Sequence, residues 1–166
     1  MNETVRLHLG CGDKRWPGFV NVDANPDPVM GEPDLKCDVT VLDVPTESVS
    51  EIHSIHLFEH IHRSKINAAL KEWHRALIHG GKLVMEMPSL DKIVAMLAAG
   101  EKNMRLTLLG IFGDPRDPKP DMLHQWCWSN GELVEVLDQA GFEQIVFAEP
   151  KFHIAKRDLR VECVKP

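Results

Sequence analysis

The fold is decided by the stretch VRLHLGCGD, residues 5–13, in which a strand-like segment runs directly into two glycines. Apolar and polar residues alternate from Val5 to Leu9, as they do in a β-strand. Gly10 and Gly12 have no Cβ, so a ligand can approach the backbone of this turn closely. The stretch therefore predicts a ligand-binding turn at the carboxyl end of a first strand.

Further strand-like segments follow along the chain. The predicted strands are Phe19–Val22, Cys37–Thr40, Glu51–Leu57, Lys82–Met87, Phe142–Ala148 and Leu159–Val164. The last two can pair antiparallel.

Helix-like segments lie between these strands. Apolar residues at spacings of three and four predict helices over Ser64–Leu77, Leu90–Ala99 and Met104–Ile111, and from Ser129 to Gly141. Ser64 is the expected N-cap of the first helix and Gly80-Gly81 its stop signal, while Ser129 and Glu132 predict a capping box. The alternation indicates an α/β fold: a Rossmann-like, mostly parallel, twisted sheet of about seven strands, with an antiparallel last strand and helices on its faces.

The connection after the first strand is unusually short. Only Asp13–Gly18 separate the glycine turn from the second strand, which is less than a helical crossover requires. We therefore expect the first crossover helix to be lost or shortened. Because both faces of a parallel sheet are normally covered, we also expect a homodimer through the under-covered face.

Length and composition set the broad class. The chain has 166 residues with 27% charged, 43% hydrophobic and a net charge of -6, which indicates one soluble domain over residues 1–166. No basic run favours nucleic acid, and no apolar run is long enough for a membrane span or a signal peptide. Four cysteines without a CxxC pair indicate reduced thiols and a cytoplasmic location.

Two aspartates follow the second and third predicted strands. Asp23 can accept hydrogen bonds from both hydroxyls of a ribose, and Asp38 can accept one from an adenine amino group. A nicotinamide or flavin dinucleotide is disfavoured, because Arg15 stands where the fingerprint needs a small residue and Asp23 comes too early. Together with the glycine turn, the two carboxylates predict a binding site for an adenosine.

The sequence resembles the class I S-adenosylmethionine-dependent methyltransferases over nearly its whole length. The matching segments are LHLGCGD (7–13), VNVD (20–23), CDVTVLDVP (37–45), SIHLFEHI (54–61), ALKEWHRALIHGGKLVMEMP (69–88) and ELVEVLDQAGF (132–142). It looks most similar to small, predicted bacterial methyltransferases of the methyltransferase type 11 kind, some of which accompany surface-polysaccharide genes. His8 departs from the acidic residue that this family usually has at that position.

The resemblance implies S-adenosylmethionine as the cofactor and assigns its binding residues. The turn passes under the methionine part, Asp23 holds the ribose, Asp38 lies near the adenine, and the LEH-like segment at Leu57–His60 borders the methionine end. Lys14 or Arg15 is expected to take the cofactor carboxylate. The expected cofactor-binding residues are Gly10, Cys11, Gly12, Lys14, Asp23, Asp38, Val39 and His56.

Histidines are the candidate catalytic residues, since a hydroxyl or amine acceptor must lose a proton. His124 is favoured and His60 is the second candidate. His124 ends a proline-rich segment, GDPRDPKPDMLHQ at 113–125, beside Trp126 and Trp128. Residues 100–128 are therefore a candidate lid or substrate loop.

The predicted function is methyl transfer to a small-molecule acceptor, with a sugar hydroxyl as one candidate. A non-catalytic cofactor-binding module in a larger assembly is the main alternative, and a nucleotide-sugar or metal-dependent hydrolase is a third. Zinc or iron could bind in Glu59-His60-Ile61-His62, but the spacing matches no ligand motif. No metal is therefore assigned.

Overall fold

The computed structural model describes residues 5–25, 27–116 and 122–166. Its strands are β1 (Val5–Leu9), β2 (Val20–Asp23), β3 (Leu35–Lys36), β4 (Val49–Ile55), β5 (Leu77–Pro88), β6 (Glu143–Ala148) and β7 (Asp158–Val164). Within the described ranges they form one seven-stranded sheet in the order β3-β2-β1-β4-β5-β7-β6. The strands β1 to β5 pair in parallel, and β7 lies antiparallel between β5 and β6. The Rossmann-like, mostly parallel sheet is confirmed.

Four α-helices accompany this sheet in the described part of the chain: α1 (Ile66–Ala76), α2 (Leu90–Ala98), α3 (Met104–Phe112) and α4 (Asn130–Gln139). The apolar stripe of α1 is buried against the sheet's core, with Leu70 and Trp73 fully enclosed. The capping box at the start of α4 is present, because Ser129 and Glu132 exchange hydrogen bonds. No helix in the described ranges has the length and apolar character needed to cross a bilayer.

The third strand lies earlier than the sequence predicts. It covers Leu35–Lys36, whereas Cys37–Thr40 form the turn that follows. The carboxylate of Asp38 accepts hydrogen bonds from the backbone N–H and the hydroxyl of Thr40, at 2.9 and 2.8 Å. Such local bonds compete with strand pairing and favour a turn, which places Asp38 beyond the sheet edge.

The ends of the first helix also differ from the prediction. Ser64 does not cap it; it lies inside a 3-10 turn, Arg63–Lys65, whose cap is His62. The helix ends at Ala76, and Gly80-Gly81 lie inside β5. Leu77 is extended because it already pairs with Val49 of β4, so strand pairing ends the helix before the glycines are reached.

The connection between β1 and β2 contains no helix, as its length predicts. Residues 10–19, all of them described, form turns and irregular backbone. On the sheet face above them, His8 pairs in register with Asn21 and His53 on the neighbouring strands. The ring of Trp16 stacks on His8 with centroids 4.0 Å apart, and Phe152 packs on Trp16 at 4.7 Å. Aromatic side chains of the chain itself therefore cover part of the face that the missing helix leaves open.

His8 is buried beneath this aromatic cover and should make stability depend on pH. Burial lowers the pKa of His8 to about 4, although a hydrogen bond to Asn21 at 3.3 Å works in the opposite direction. The folded state thus holds His8 neutral, whereas the unfolded chain takes up a proton below pH 6.5. Stability should therefore fall as the pH drops from 6.5 toward 4, by roughly 3 kcal/mol from this residue.

A His8→Phe variant tests this expectation. Between pH 7 and pH 4.5 the free energy of unfolding, measured in urea, should decrease in both proteins. The decrease should be about 2–3 kcal/mol smaller in the variant than in the parent. The ring of Phe keeps the stacking on Trp16, so the comparison isolates the titration. Parallel pH curves for the two proteins would contradict the assignment.

Candidate active site

An open cavity of about 670 Å³ lies at the carboxyl ends of the parallel strands. Its walls come from the turn after β1, the end of β2, the turn after β3 and the segment after β4. Open α/β sheets bind ligands at the point where the strand order reverses. In this sheet that point lies beside β1, because β2 and β3 lie on one side of β1 and β4 lies on the other. The lining includes Gly10, Cys11, Gly12, Lys14, Asp23, Asp38, Val39, His56, Leu57, His60, Ile61, His62, Lys65, Met122 and Gln125.

The glycine turn and Asp23 face each other across one end of this cavity. The backbone N–H of Gly12 donates to Asp23 Oδ2 at 2.9 Å, and the N–H of Asn25 donates to Oδ1 at 3.0 Å. A Cβ on Gly10 would lie 2.7 Å from the Leu57 side chain, and the φ of Gly10 is +64°. Only glycine therefore fits at this position, and the turn brings the Asp23 carboxylate to the cavity.

The other predicted adenosine-side residues line the same cavity. Two bonds from Thr40 hold the carboxylate of Asp38, and the backbone bond from Thr40 keeps its pKa below the usual range. Asp38 is thus an anion at neutral pH. Next to it, the carbonyl of Val39 accepts a hydrogen bond from the indole of the buried Trp73 at 2.8 Å, which fixes this wall to α1.

The two basic residues of the turn have different positions. Arg15 donates to Cys11 Sγ at 2.7 Å and to the carbonyl of Gly31 at 3.0 Å, so it ties the turn to the loop after β2. Lys14 lines the cavity, and its ammonium lies 3.0 Å from the exposed Asp13. Lys14 is therefore the basic side chain of the turn that is available to an anionic ligand. Burial raises the pKa of Cys11 to about 11, so its thiol stays protonated.

His56 joins the cavity to a buried charged network. Its Nδ1 donates to Glu59 Oε1 at 3.0 Å, and its Nε2 lies 3.5 Å from Asp158 Oδ2. Burial alone would lower the pKa of His56, but the bond to Glu59 and the nearby Asp158 charge raise it above its usual value. Burial would likewise raise the pKa of Glu59, yet its histidine neighbours hold it below the usual range. Both pKa shifts are in the direction that favours an ion pair between His56 and Glu59.

The two candidate catalytic histidines lie side by side, but only His60 lines the cavity among the described residues. The ring centroids of His60 and His124 are 4.8 Å apart at nearly perpendicular planes. His124 Nδ1 donates to the carbonyl of Gly110 at 3.0 Å, and burial lowers the pKa of His124, which keeps the ring neutral. His124 thus lies behind His60 as seen from the cavity.

The aromatic walls proposed for the segment beside His124 are only partly exposed. Trp128 is fully buried in the core against Phe58, whereas Trp126 is 41% exposed near Arg63. Met122 and Gln125 from the same segment line the cavity. Residues 117–121 of the predicted proline-rich loop lie outside the described residues.

The cavity fits an adenosine that carries a methionine. Its volume suits a ligand of that size. The carboxylates of Asp23 and Asp38 offer acceptors to hydroxyl and amino groups, and Lys14 offers a cation to a carboxylate. The sequence did not indicate Ile61 as a lining residue or Asp158 as a neighbour of His56. Asp158 reaches this site because β7 inserts beside β5, which no local pattern shows.

Comparisons with known proteins agree with this geometry. A family model described as "Methyltransferase domain" matches residues 7–85. No curated protein is similar enough in sequence to count as a match.

Solved structures share the fold at low sequence identity. A SAM-dependent methyltransferase from Archaeoglobus fulgidus is 14% identical with a TM-score of 0.65, over 98% of this chain and 87% of that one. A SAM-dependent methyltransferase from Methanosarcina mazei is 16% identical with a TM-score of 0.66, over 99% and 94%. The 1,6-didemethyltoxoflavin-N1-methyltransferase of Burkholderia thailandensis, solved with 1,6-didemethyltoxoflavin and S-adenosylhomocysteine, is 16% identical with a TM-score of 0.62, over 97% and 70%.

Residues 7–85 thus match a methyltransferase-domain model, and the chain has the fold of S-adenosylmethionine-dependent methyltransferases, which is consistent with the class I family and with S-adenosylmethionine as the cofactor.

Proposed function

We propose that this protein transfers a methyl group from S-adenosylmethionine to a small-molecule acceptor, with a sugar hydroxyl as the favoured class. The observation behind the proposal is that one cavity joins the glycine turn, Asp23 and Asp38 to the histidine His60. The Burkholderia relative holds a small molecule together with S-adenosylhomocysteine, which supports an acceptor of that size. The resemblance to methyltransferases that accompany surface-polysaccharide genes favours a sugar.

Each predicted cofactor-binding residue has a role in this proposal. Asp23 accepts both ribose hydroxyls, and Asp38 and the backbone at Val39 meet the adenine. Lys14 pairs with the cofactor carboxylate. Gly10, Cys11, Gly12 and His56 border the methionine part.

When bound, S-adenosylmethionine supplies a methyl group already activated on a sulfonium. The chain contributes alignment, which can remove roughly 7–11 kcal/mol of the barrier in such displacements. The acceptor oxygen forms its bond to the methyl carbon as the carbon–sulfur bond breaks, and the electron pair stays on sulfur. His60, which lines the cavity, activates the acceptor by drawing off its proton or weakening its O–H bond, and His124, whose ring contacts His60 from behind, positions that ring. Met122 and Gln125 line the cavity, which supports the proposal that the segment 100–128 includes a substrate loop.

Calorimetric titration with S-adenosylhomocysteine tests the assigned slot. Asp23→Ala should weaken binding by about 2–3 kcal/mol, roughly 30- to 150-fold, because the ribose hydroxyls lose charge-assisted hydrogen bonds. The matched control is Asp43→Ala, an exposed aspartate on the loop before β4, which should bind as the parent does. Equal affinity in all three proteins would refute the slot.

Turnover tests the role of His124, using a panel of sugar and amine acceptors and radiolabelled cofactor. His124→Ala should lower kcat by on the order of 100-fold or more while leaving the affinity for S-adenosylhomocysteine close to the parent's, since His124 does not line the cavity. His79→Ala is the control, because His79 is exposed and bound to the carbonyl of Pro166. Tight cofactor binding without any turnover by the parent would instead favour the non-catalytic module, which the missing crossover helix keeps as the second candidate.

A homodimer through the face of the missing helix remains part of the proposal. Phe152 is 48% exposed at the outer side of the aromatic cover on Trp16, so a second copy could bury it. Sedimentation at tens of micromolar should show a dimer that Phe152→Glu converts to monomer. A monomeric parent at that concentration removes this part of the proposal.

A further inference from the structure

Behind the cavity, Glu59, His60 and His124 form a cluster that the cofactor slot does not use. One ligand atom from each of these side chains lies within 4.8 Å of the other two. Glu59 is 1% exposed, and its Oε2 has no hydrogen-bond partner among the described residues. The Nδ1 atom of His60 is likewise buried without one in the same ranges. A buried carboxylate oxygen left without a partner is costly, so the cluster is suited to bind a cation.

The hydrogen bonds around the cluster orient its ligand atoms. His124 Nδ1 donates to the Gly110 carbonyl, so a neutral ring leaves its Nε2 with a free lone pair. The other oxygen of Glu59 is held by His56. Metal-binding histidines typically donate their second N–H to a carbonyl, and metal-binding carboxylates are hydrogen-bonded in the same way.

Backbone bonds hold the two segments of the cluster together. The N–H groups of Gln125 and Trp126 both donate to the carbonyl of Glu59, at 2.7 and 3.3 Å. The N–H of His124 donates to the carbonyl of Phe112 at 3.2 Å. Residues far apart in sequence are thus fixed in one place before any ion arrives.

We propose that Glu59, His60 and His124 bind one divalent transition-metal ion, zinc(II) or iron(II). Two imidazoles and a carboxylate suit these ions, and three protein ligands leave coordination positions open for a substrate. His60 also lines the cavity, so the ion would lie directly behind the cavity wall. The site goes beyond the proposed methyl transfer and does not rest on it.

This site departs from the sequence expectation, which assigned no metal and considered Glu59-His60-Ile61-His62. His62 is exposed, and its Nδ1 is bonded to Ser64. His124 is the ligand that only the fold supplies. A neighbouring cluster of His56, His153 and Asp158 is less suited, because both oxygens of Asp158 already accept bonds from Arg157.

Zinc binding by the untagged, chelator-stripped protein tests the proposal, with a chromophoric chelator as competitor. The parent should bind one equivalent of zinc, and Glu59→Gln and His124→Ala should each weaken it by on the order of 100-fold or more. Zinc should also raise the Tm of the parent but not that of the variants. Far-UV circular dichroism checks that each variant folds. If Glu59→Gln does not fold, the test depends on His124→Ala, because His124 is partly exposed and its replacement is better tolerated.

Two control variants make the test specific. His62→Ala and His153→Ala should keep the parent's zinc affinity. The proposal is overturned by an absence of one-equivalent binding, by binding that both cluster variants retain, or by binding that either control removes. S-adenosylhomocysteine titration without zinc on the same preparation reports the cofactor slot separately, so failure of one proposal is distinct from failure of the other.

Discussion

The short link between β1 and β2 is the constraint on which the rest of the structure depends. Residues 10–19 must carry the chain from the end of one parallel strand to the start of its neighbour, and they are too few to form a packed helix. The chain therefore turns sharply at Gly10, and the same turn directs the Gly12 N–H at Asp23. One steric requirement thus shapes the strand connection and the ligand slot together.

The same link explains the unusual sequence of β1. A strand of a parallel sheet covered by helices on both faces is normally apolar throughout, yet Arg6 and His8 alternate with Val5, Leu7 and Leu9. The apolar side faces the core, where Leu7 and Leu9 are fully buried. The polar side lies under Trp16 and Phe19, whose rings stack on His8 and receive the Arg6 guanidinium. Aromatic side chains from the link replace the helix that its length forbids.

Buried carboxylates at the carboxyl edge of the sheet divide into two kinds. Glu86 is fully buried, and its two oxygens accept bonds from the backbone of Lys151 and Phe152 and from Arg160. This anchors the connection between β6 and β7, which brings Phe152 onto Trp16. Glu59 is buried to the same degree but leaves one oxygen without a partner in the described ranges. Complete pairing indicates a structural charge, whereas the unused oxygen of Glu59 indicates one kept for a ligand.

The sequence predicts the parts of this molecule that local chemistry decides. The glycine turn, the short link without a helix and the Ser129 capping box each depend on residues close together in the chain. The structure has all three of these predicted features. The wrong predictions lie where hydrogen-bond pairing decides the structure. Cys37–Thr40 was predicted as a strand, but the Asp38 side chain binds Thr40 and forms a turn. Gly80-Gly81 was predicted as the helix end, but the helix ends earlier because Leu77 pairs with Val49. The intrinsic preference of a residue for a strand or for a helix end does not determine which hydrogen-bond partner its backbone has in the fold.

The candidate site follows the same division. Residues that directly follow β1, β2 and β4 converge because the carboxyl ends of parallel strands meet at one edge, so their meeting is predictable from the order of elements. Two other contacts are not predictable in this way. His124 lies beside Glu59 because a loop returns to the sheet edge, and Asp158 lies beside His56 because β7 inserts antiparallel. His60 lies where both groups meet: it lines the predicted cavity and touches the unpredicted cluster. The residues that line the candidate cofactor cavity can therefore be predicted from the local sequence, whereas the cluster beside it depends on contacts that only the complete fold creates.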